Sequence, residues 1–242
     1  MRRTAEELPT VQRIGRDEFL AHYWHYEPGE HVTILARTGN GKTFTAQQLL
    51  ERSASREIPA LCLIAKREDE TVKAWAKGAG YRTVTSYPSP TTIWRPNRPP
   101  GYVLWPHWAK DPRIDKPAHA RIFRTALLHA YAKGKHIVFA DETVGLQRLG
   151  LTEEIEEIEM QGRSLKCGMW VSSQAPINVT TYAYSQAHHL FLGYAKDKRH
   201  VDRFKEIGGV DADLVAHHVA RLGHHEWLYI HTESRTMCIV EK

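Results

Sequence analysis

Cysteine is scarce in this chain: there are three in 242 residues, Cys62, Cys167 and Cys238, with neither a metal-ligand spacing nor a pattern of pairs. They are expected to fill small gaps in a core within a reducing compartment, with no disulfide. Long apolar runs are missing too. Nothing approaches the roughly 18 uninterrupted apolar residues of a membrane span, and the amino-terminal Met1-Arg2-Arg3-Thr4-Ala5-Glu6-Glu7 has no apolar stretch of the signal-peptide kind. A cytoplasmic protein with no membrane partner is therefore expected. There is no internal repeat and no low-complexity tract. The paired histidines, His188 with His189, His217 with His218 and His224 with His225, lack the HExxH or CxxC spacings of metal sites and are not read as ligands.

What is present is ordinary in bulk: 42% hydrophobic and 25% charged residues, with 16 Gly and 12 Pro, close to the averages of globular proteins. The length suits one sizeable α/β core and is short for two catalytic domains. The formal net charge of +5 is compatible with a nucleic-acid partner, since Lys and Arg on phosphates supply most nonspecific affinity, although chance also produces such a charge.

After a polar leader, residues 1–29, the segment EHVTILA from Glu30 to Ala36 is a short β-branched run ending in a glycine-bearing turn, as a buried parallel strand does. Lys42 to Arg52 reads as a helix, Ala60 to Ala65 as a second buried strand, and Glu68 to Lys77 as a helix closed by Gly78 and Gly80. Between Tyr87 and Pro117 lie eight of the twelve prolines and three of the seven tryptophans, with Arg95, Arg98, Lys110 and Arg113 among them. That proline density argues against a regular helix or central strand, so residues 87–117 are expected to be an irregular insertion with one short strand at Tyr102 to Trp105. It would line a DNA channel or brace neighbouring subunits.

His119 to Lys133 has helical spacing, and HIVFADE, His136 to Glu142, is the most evident core strand. Thr152 to Lys166 is an amphipathic helix whose acidic run, Glu153 to Glu159, is read as a solvated face. Strands follow at Gly168 to Ser173 and His189 to Tyr194. The tail, residues 197–242, carries helices near Asp197 to Ile207 and Asp211 to Arg221, then a hairpin of Glu226 to His231 and Thr236 to Val240. The βαβ alternation predicts a three-layer α/β domain over residues 30–242, with a mainly parallel central sheet and a C-terminal β-hairpin.

Chemistry concentrates in ARTGNGKT, Ala36 to Thr43, placed between a strand and a helix. It matches the phosphate-binding loop GxxxxGKT except that Ala36 replaces the first glycine. Thr38, Gly39, Asn40, Gly41, Lys42, Thr43 and Phe44 are the expected nucleotide contacts, Lys42 reaching the β and γ phosphates of ATP and Thr43 offering its hydroxyl to Mg2+. HIVFADE carries Asp141 to the end of a strand, as a second magnesium ligand, and Glu142 beside it as general base for a water attacking the γ phosphate. The guanine-selecting NKxD motif is missing, which argues against a GTPase.

With these two motifs, GRSLKCGMWVSSQAP from Gly162 to Pro176 resembles the FtsK/HerA superfamily of DNA-pumping ATPases, which includes viral genome-packaging motors. Two positions depart from the family pattern: Ala175 stands where it has arginine, and Lys166 where it favours a small residue. The resemblance covers about residues 30–194 and implies a RecA/ASCE-like fold. It implies Gln174 as the γ-phosphate sensor and Arg163 as an arginine finger reaching a neighbouring subunit, hence a homo-oligomeric ring, pentamer or hexamer, acting on double-stranded DNA, with a viral portal or capsid as a further partner. Arg37, inside the loop, is a rival source of that charge in cis. A nucleotide-switched assembly or partition factor and a P-loop small-molecule kinase are the alternative functions. Tyr23, Trp24 and Tyr26 are read as core, with adenine stacking as the other option.

Overall fold

A computed structural model describes residues 10–89 and 98–242. Arg95 and the neighbouring Pro and Trp positions of the expected insertion, and the first nine residues of the leader, lie outside the described residues. Ten strands form one sheet in the order β1-β10-β9-β8-β2-β7-β6-β3-β5-β4. They are β1 (Gln12–Ile14), β2 (Val32–Leu35), β3 (Ala60–Leu63), β4 (Arg82–Val84), β5 (Gly101–Leu104), β6 (His136–Ala140), β7 (Cys167–Ser173), β8 (His189–Leu192), β9 (Trp227–His231) and β10 (Thr236–Val240). From β8 to β4 every neighbouring pair is parallel, while β9 joins β8 and β10 in antiparallel fashion. The result is the expected α/β class with a mainly parallel sheet, extended at one side by the expected hairpin, with β1 at that edge.

The central strands are buried from end to end, as strands covered on both faces must be. Alternate residues divide between two cores: Leu61, Leu63, Val138 and Ala140 point to one face, Ala60, Cys62, Ile137 and Phe139 to the other. On the first face pack α4 (Pro112–Lys133), α6 (Thr152–Gln161) and α9 (Ala212–Val219). On the second pack α2 (Lys42–Ser53) and α3 (Glu70–Gly78), joined by Phe19, Leu20 and Trp24 from the stretch that follows α1 (Arg16–Glu18). Three short helices lie between these elements: α5 (Thr143–Gln147), α7 (Tyr182–Ser185) and α8 (Lys198–Asp202). All three cysteines are buried and free. No helix among the described residues is long and apolar enough to cross a membrane.

Four sequence expectations are corrected by the fold. Within the polar leader, Gln12–Ile14 pairs with Cys238–Val240, a strand too short for its periodicity to show. At three residues, β4 escapes sequence patterns for the same reason. The last prolines of the expected insertion belong to α4, where Asp111 accepts from the Arg113 N–H at 3.0 Å and Pro112 occupies the first position. A proline's fixed φ is a helical φ, so proline in a first turn begins a helix rather than excluding one. Finally, Glu159 of the acidic run is not solvated. It is 2% exposed and accepts the Thr180 hydroxyl at 2.7 Å; burial pushes its carboxyl up to about 8.

Trp24 of the leader sits in the core, as expected, and the partly buried Tyr26 packs against it. Trp24 packs edge-on to Trp170 and against Phe191, its indole N–H donating to Ser53. Tyr26 lies against Trp170. Tyr23, read as core with them, is instead 44% exposed.

Candidate active site

The loop of residues 36–41 leaves the carboxyl end of β2 and turns into α2. Gly39 and Gly41 hold φ of 85° and 84°, the left-handed region that side chains disfavour. The Ala36 that replaces a glycine is accommodated from outside the loop. A Cβ added to Gly193, after β8, would lie 2.5 Å from the Ala36 Cβ, so the bare glycine leaves room for the alanine methyl. Two backbone bonds fix the loop's origin: Ala36 N–H to the Ser173 carbonyl at 3.2 Å, and Gly193 N–H to the Leu35 carbonyl at 2.7 Å.

Sheet order then brings the expected residues together. β7 lies between β2 and β6, so the ends of three parallel strands present the loop, Gln174 and Asp141 side by side. The Thr43 hydroxyl, in the first turn of α2, donates to Asp141 Oδ1 at 2.8 Å. Asp141 is 3% exposed, and its Oδ2 meets the Lys66 ammonium at 2.5 Å. Burial works against the Lys66 charge, but Asp141 outweighs it and holds the ammonium above its ordinary range. Lys42 reaches back over the loop to the Ala36 carbonyl at 2.9 Å and the Arg37 carbonyl at 3.3 Å. Its ammonium is pulled below the ordinary lysine range by burial, against the opposing pull of Glu142 and Asp141.

Glu142 stands just before α5, half-buried. Burial raises its carboxyl above 4.5, and the Gln174 amide and the Lys42 ammonium oppose that rise. Gln174 in turn accepts the Thr38 hydroxyl at 2.8 Å. Thr38, Gln174 and Glu142 therefore connect the phosphate loop to the acid beside Asp141.

Two of the expected contacts have side chains engaged elsewhere. The Asn40 Oδ1 accepts the His225 N–H at 3.1 Å. The Phe44 side chain is exposed, beneath the Arg16 guanidinium at 5.5 Å. Arg37 lies over the Tyr194 ring at 5.4 Å and lines, with Thr38, Leu222 and His224, a cleft of about 350 Å³ beside the loop. Arg163 is not brought to this site. It lies in the short 3₁₀ turn Gly162–Leu165 before β7, paired with Glu233 at 2.6 Å. The seven residues of β7 separate it from Gln174, a span of about 20 Å at ~3.3 Å per residue.

Lys66, His225, Tyr194 and the Leu222–His224 turn carry no motif that marks them in the sequence. For Lys66 the available signal was a basic residue just past a buried strand. The pairing of β3 with β6 that aims it at Asp141 is a matter of topology.

The Thr43 and Asp141 oxygens are hard donors suited to magnesium. Adjacent ligands of an octahedral ion at ~2.1 Å lie about 3 Å apart, so their 2.8 Å separation fits one edge of its coordination shell.

No family model matches the chain, and no curated protein does. Solved structures do. The genome-packaging NTPase B204 of Sulfolobus turreted icosahedral virus 2 superposes with a TM-score of 0.63 at 17% identity, covering 89% of this chain and 98% of that one. The DNA-packaging ATPase B204 of Sulfolobus turreted icosahedral virus gives 0.60 at 18% identity, with the same coverage of 89% and 98%. VirB4 of Thermoanaerobacter pseudethanolicus gives 0.59 at 13% identity, covering 98% of this chain and 97% of that one. The chain has the fold of these P-loop ATPases, the fold that the FtsK/HerA resemblance implies.

Proposed function

We propose that the chain hydrolyses ATP to ADP and phosphate and couples the reaction to movement of double-stranded DNA as a ring oligomer, most simply in viral genome packaging. The convergence of Lys42, Thr43, Asp141 and Glu142 on one strand-end site, with Gln174 between loop and acid, carries this reading. The shared fold with genome-packaging NTPases supports it.

In this reading the amides of the loop and the amino end of α2 bind the phosphates, and the Lys42 ammonium neutralises charge on the β and γ groups. Thr43 and Asp141 would hold a magnesium ion, which shields the triphosphate charge when bound. Glu142 takes a proton from a water whose oxygen bonds to the γ phosphorus while the bond to the β–γ bridging oxygen breaks. Gln174, touching both Thr38 and Glu142, orients that water and registers the loss of the γ phosphate.

The ring rests on reading Arg163 as the arginine finger. Some 20 Å from its own site at strand spacing, it would act in another subunit's, and its Glu233 partner is exposed enough to be exchanged. The net charge of +5 suits a DNA partner.

The test is phosphate release, measured without any acceptor and with or without duplex DNA, for the native chain, Glu142→Gln and Arg163→Ala. Stimulation by DNA and loss of turnover in both variants are expected, with partial recovery when the two are mixed, since their defects fall at different interfaces. Native turnover in Arg163→Ala would remove the finger and the argument for a ring. Phosphate transfer only to an added acceptor would replace hydrolysis by a kinase reaction.

A further inference from the structure

At the amino ends of β3, β5 and β6, the opposite end of the parallel strands from the phosphate loop, lies a second cleft of about 320 Å³. Arg56, Arg98, Lys133 and Lys135 line it, with Tyr87 and Tyr102 in its wall. Glu57 is the one carboxylate among its lining residues. Among the described residues none of the four cations forms an ion pair.

Four like charges gathered on a concave surface repel one another, and low-dielectric walls concentrate their field. Two histidines lie beside the cations. His129 and His136 are both held below the ordinary histidine range, by burial first and with Lys133 adding to it, and Arg98 contributes further at His136. The wall is built firmly. The Tyr87 hydroxyl meets His136 Nε2 at 2.8 Å, and the Tyr87 and Tyr102 rings lie 5.2 Å apart. Lys135 keeps a left-handed backbone, φ 52°, its N–H held by the Leu165 carbonyl at 3.0 Å. A non-glycine residue in that region is uncommon and points to a constraint on its direction.

We infer that this cleft binds a phosphate-bearing ligand through Arg56, Arg98, Lys133 and Lys135, either one phosphate of a nucleic-acid backbone or a free phosphomonoester. Two guanidinium forks suit the bidentate geometry of phosphate oxygens, and two flexible ammonium groups follow as point charges. The volume admits a single nucleotide unit and no more of a duplex. The site stands apart from the phosphate loop and does not depend on the motor reading.

The test uses two fluorescent probes, a 20-base-pair duplex and adenosine 5′-monophosphate, followed by polarisation at low salt. The native chain is compared with Arg98→Glu/Lys133→Glu and with the milder Arg98→Gln/Lys133→Gln, which keeps the side-chain bulk should the reversal fail to fold. The phosphate loop is the same in all three, so differences report the cleft. Affinity for at least one probe should fall about tenfold or more, and for the duplex the salt slope should flatten by ~0.9 for each phosphate that is no longer neutralised. Weaker binding of the duplex alone identifies the source as backbone phosphate, and weaker binding of the monophosphate alone identifies a small phosphomonoester. Unchanged affinity for both probes in the Gln variant overturns the inference. DNA-stimulated hydrolysis is read separately: its absence would sink the motor and leave the cleft standing.

Discussion

The two ends of one sheet treat charge in opposite ways. At the carboxyl ends of β2, β7 and β6 the charged side chains of the motifs have a partner of opposite sign or a polar group turned towards them: Asp141 has Thr43 and Lys66, Glu142 has Gln174, and Lys42 has two carbonyls. At the amino ends of β3, β5 and β6 four cations face one cleft, and none of them is paired with an acid among the described residues. A site whose groups are already partnered is organised for chemistry on a ligand that enters and leaves. A site of unpartnered cations is organised for holding an anion.

The sharpest way to break the comparison is at Glu142. If it is the base, Glu142→Gln should lower turnover by about 10²–10⁴, the usual worth of a positioned general base, while nucleotide binding persists. Cleft substitutions should produce no such collapse. The pH profile adds a second reading. Because the carboxyl sits above 4.5, its active, ionised form is lost as pH falls through that raised value, so the acid limb of kcat/KM should lie above 4.5. Gln174→Ala, which removes a group favouring the ionised form, should move the limb higher. An acid limb unaltered in Glu142→Gln would show that another group is titrating.

A buried acid outside both regions shows what a cation contributes. Among the described residues Glu159 has only Thr180 for a hydrogen-bond partner, and its carboxyl is raised to about 8. A carboxyl raised on folding costs nothing below 4.5, and its cost grows as pH rises from 4.5 to about 8. Glu159→Gln should therefore stabilise the fold by on the order of 2 kcal/mol at about pH 7, and by little at about pH 4. Equal stabilisation at both pH values in denaturant unfolding would mean that packing, not charge, decides there.

How much of this was legible in the sequence follows from the range of each interaction. Lys42, Thr43 and their glycines belong to one local turn, and Asp141 and Glu142 to one strand end, so residue order sufficed to find them. The pairing of β7 between β2 and β6 was available only through the family resemblance that placed Gln174 beside Asp141. Lys66, 75 positions from Asp141 in the chain, and His225, 185 from Asn40, depend on strand order that no local pattern carries. The cleft gathers residues from separated segments, and its cations have the sequence appearance of ordinary surface charge. Misreadings come from rules applied without position: proline is taken to exclude a helix it in fact begins, and a glutamate in an acidic run is taken for a solvated one.

A smaller effect is expected at Lys66. Removing one partner of a buried pair leaves the other charge stranded, a loss of several kcal/mol when both are buried. Lys66 is 41% exposed, so solvent screens much of the pair and Lys66→Ala should cost only about 1 kcal/mol. The measurement is the shift of the denaturant midpoint at neutral pH. No shift would show that Thr43 and water satisfy Asp141 without the ammonium.

The smallest effect tests the cleft from the side of stability. Lys133→Gln/Lys135→Gln should raise the melting midpoint slightly at low salt, because two members of a mutually repelling group are removed and no ion pair is broken. The gain should fade at about 0.5 M salt, where the screening length falls to roughly 4 Å and repulsion across the cleft is largely cancelled. The sign is what decides. Had these lysines partners of opposite charge, neutralising them would lower the midpoint at low salt, and the contrast between a partnered end and an open end of the sheet would collapse.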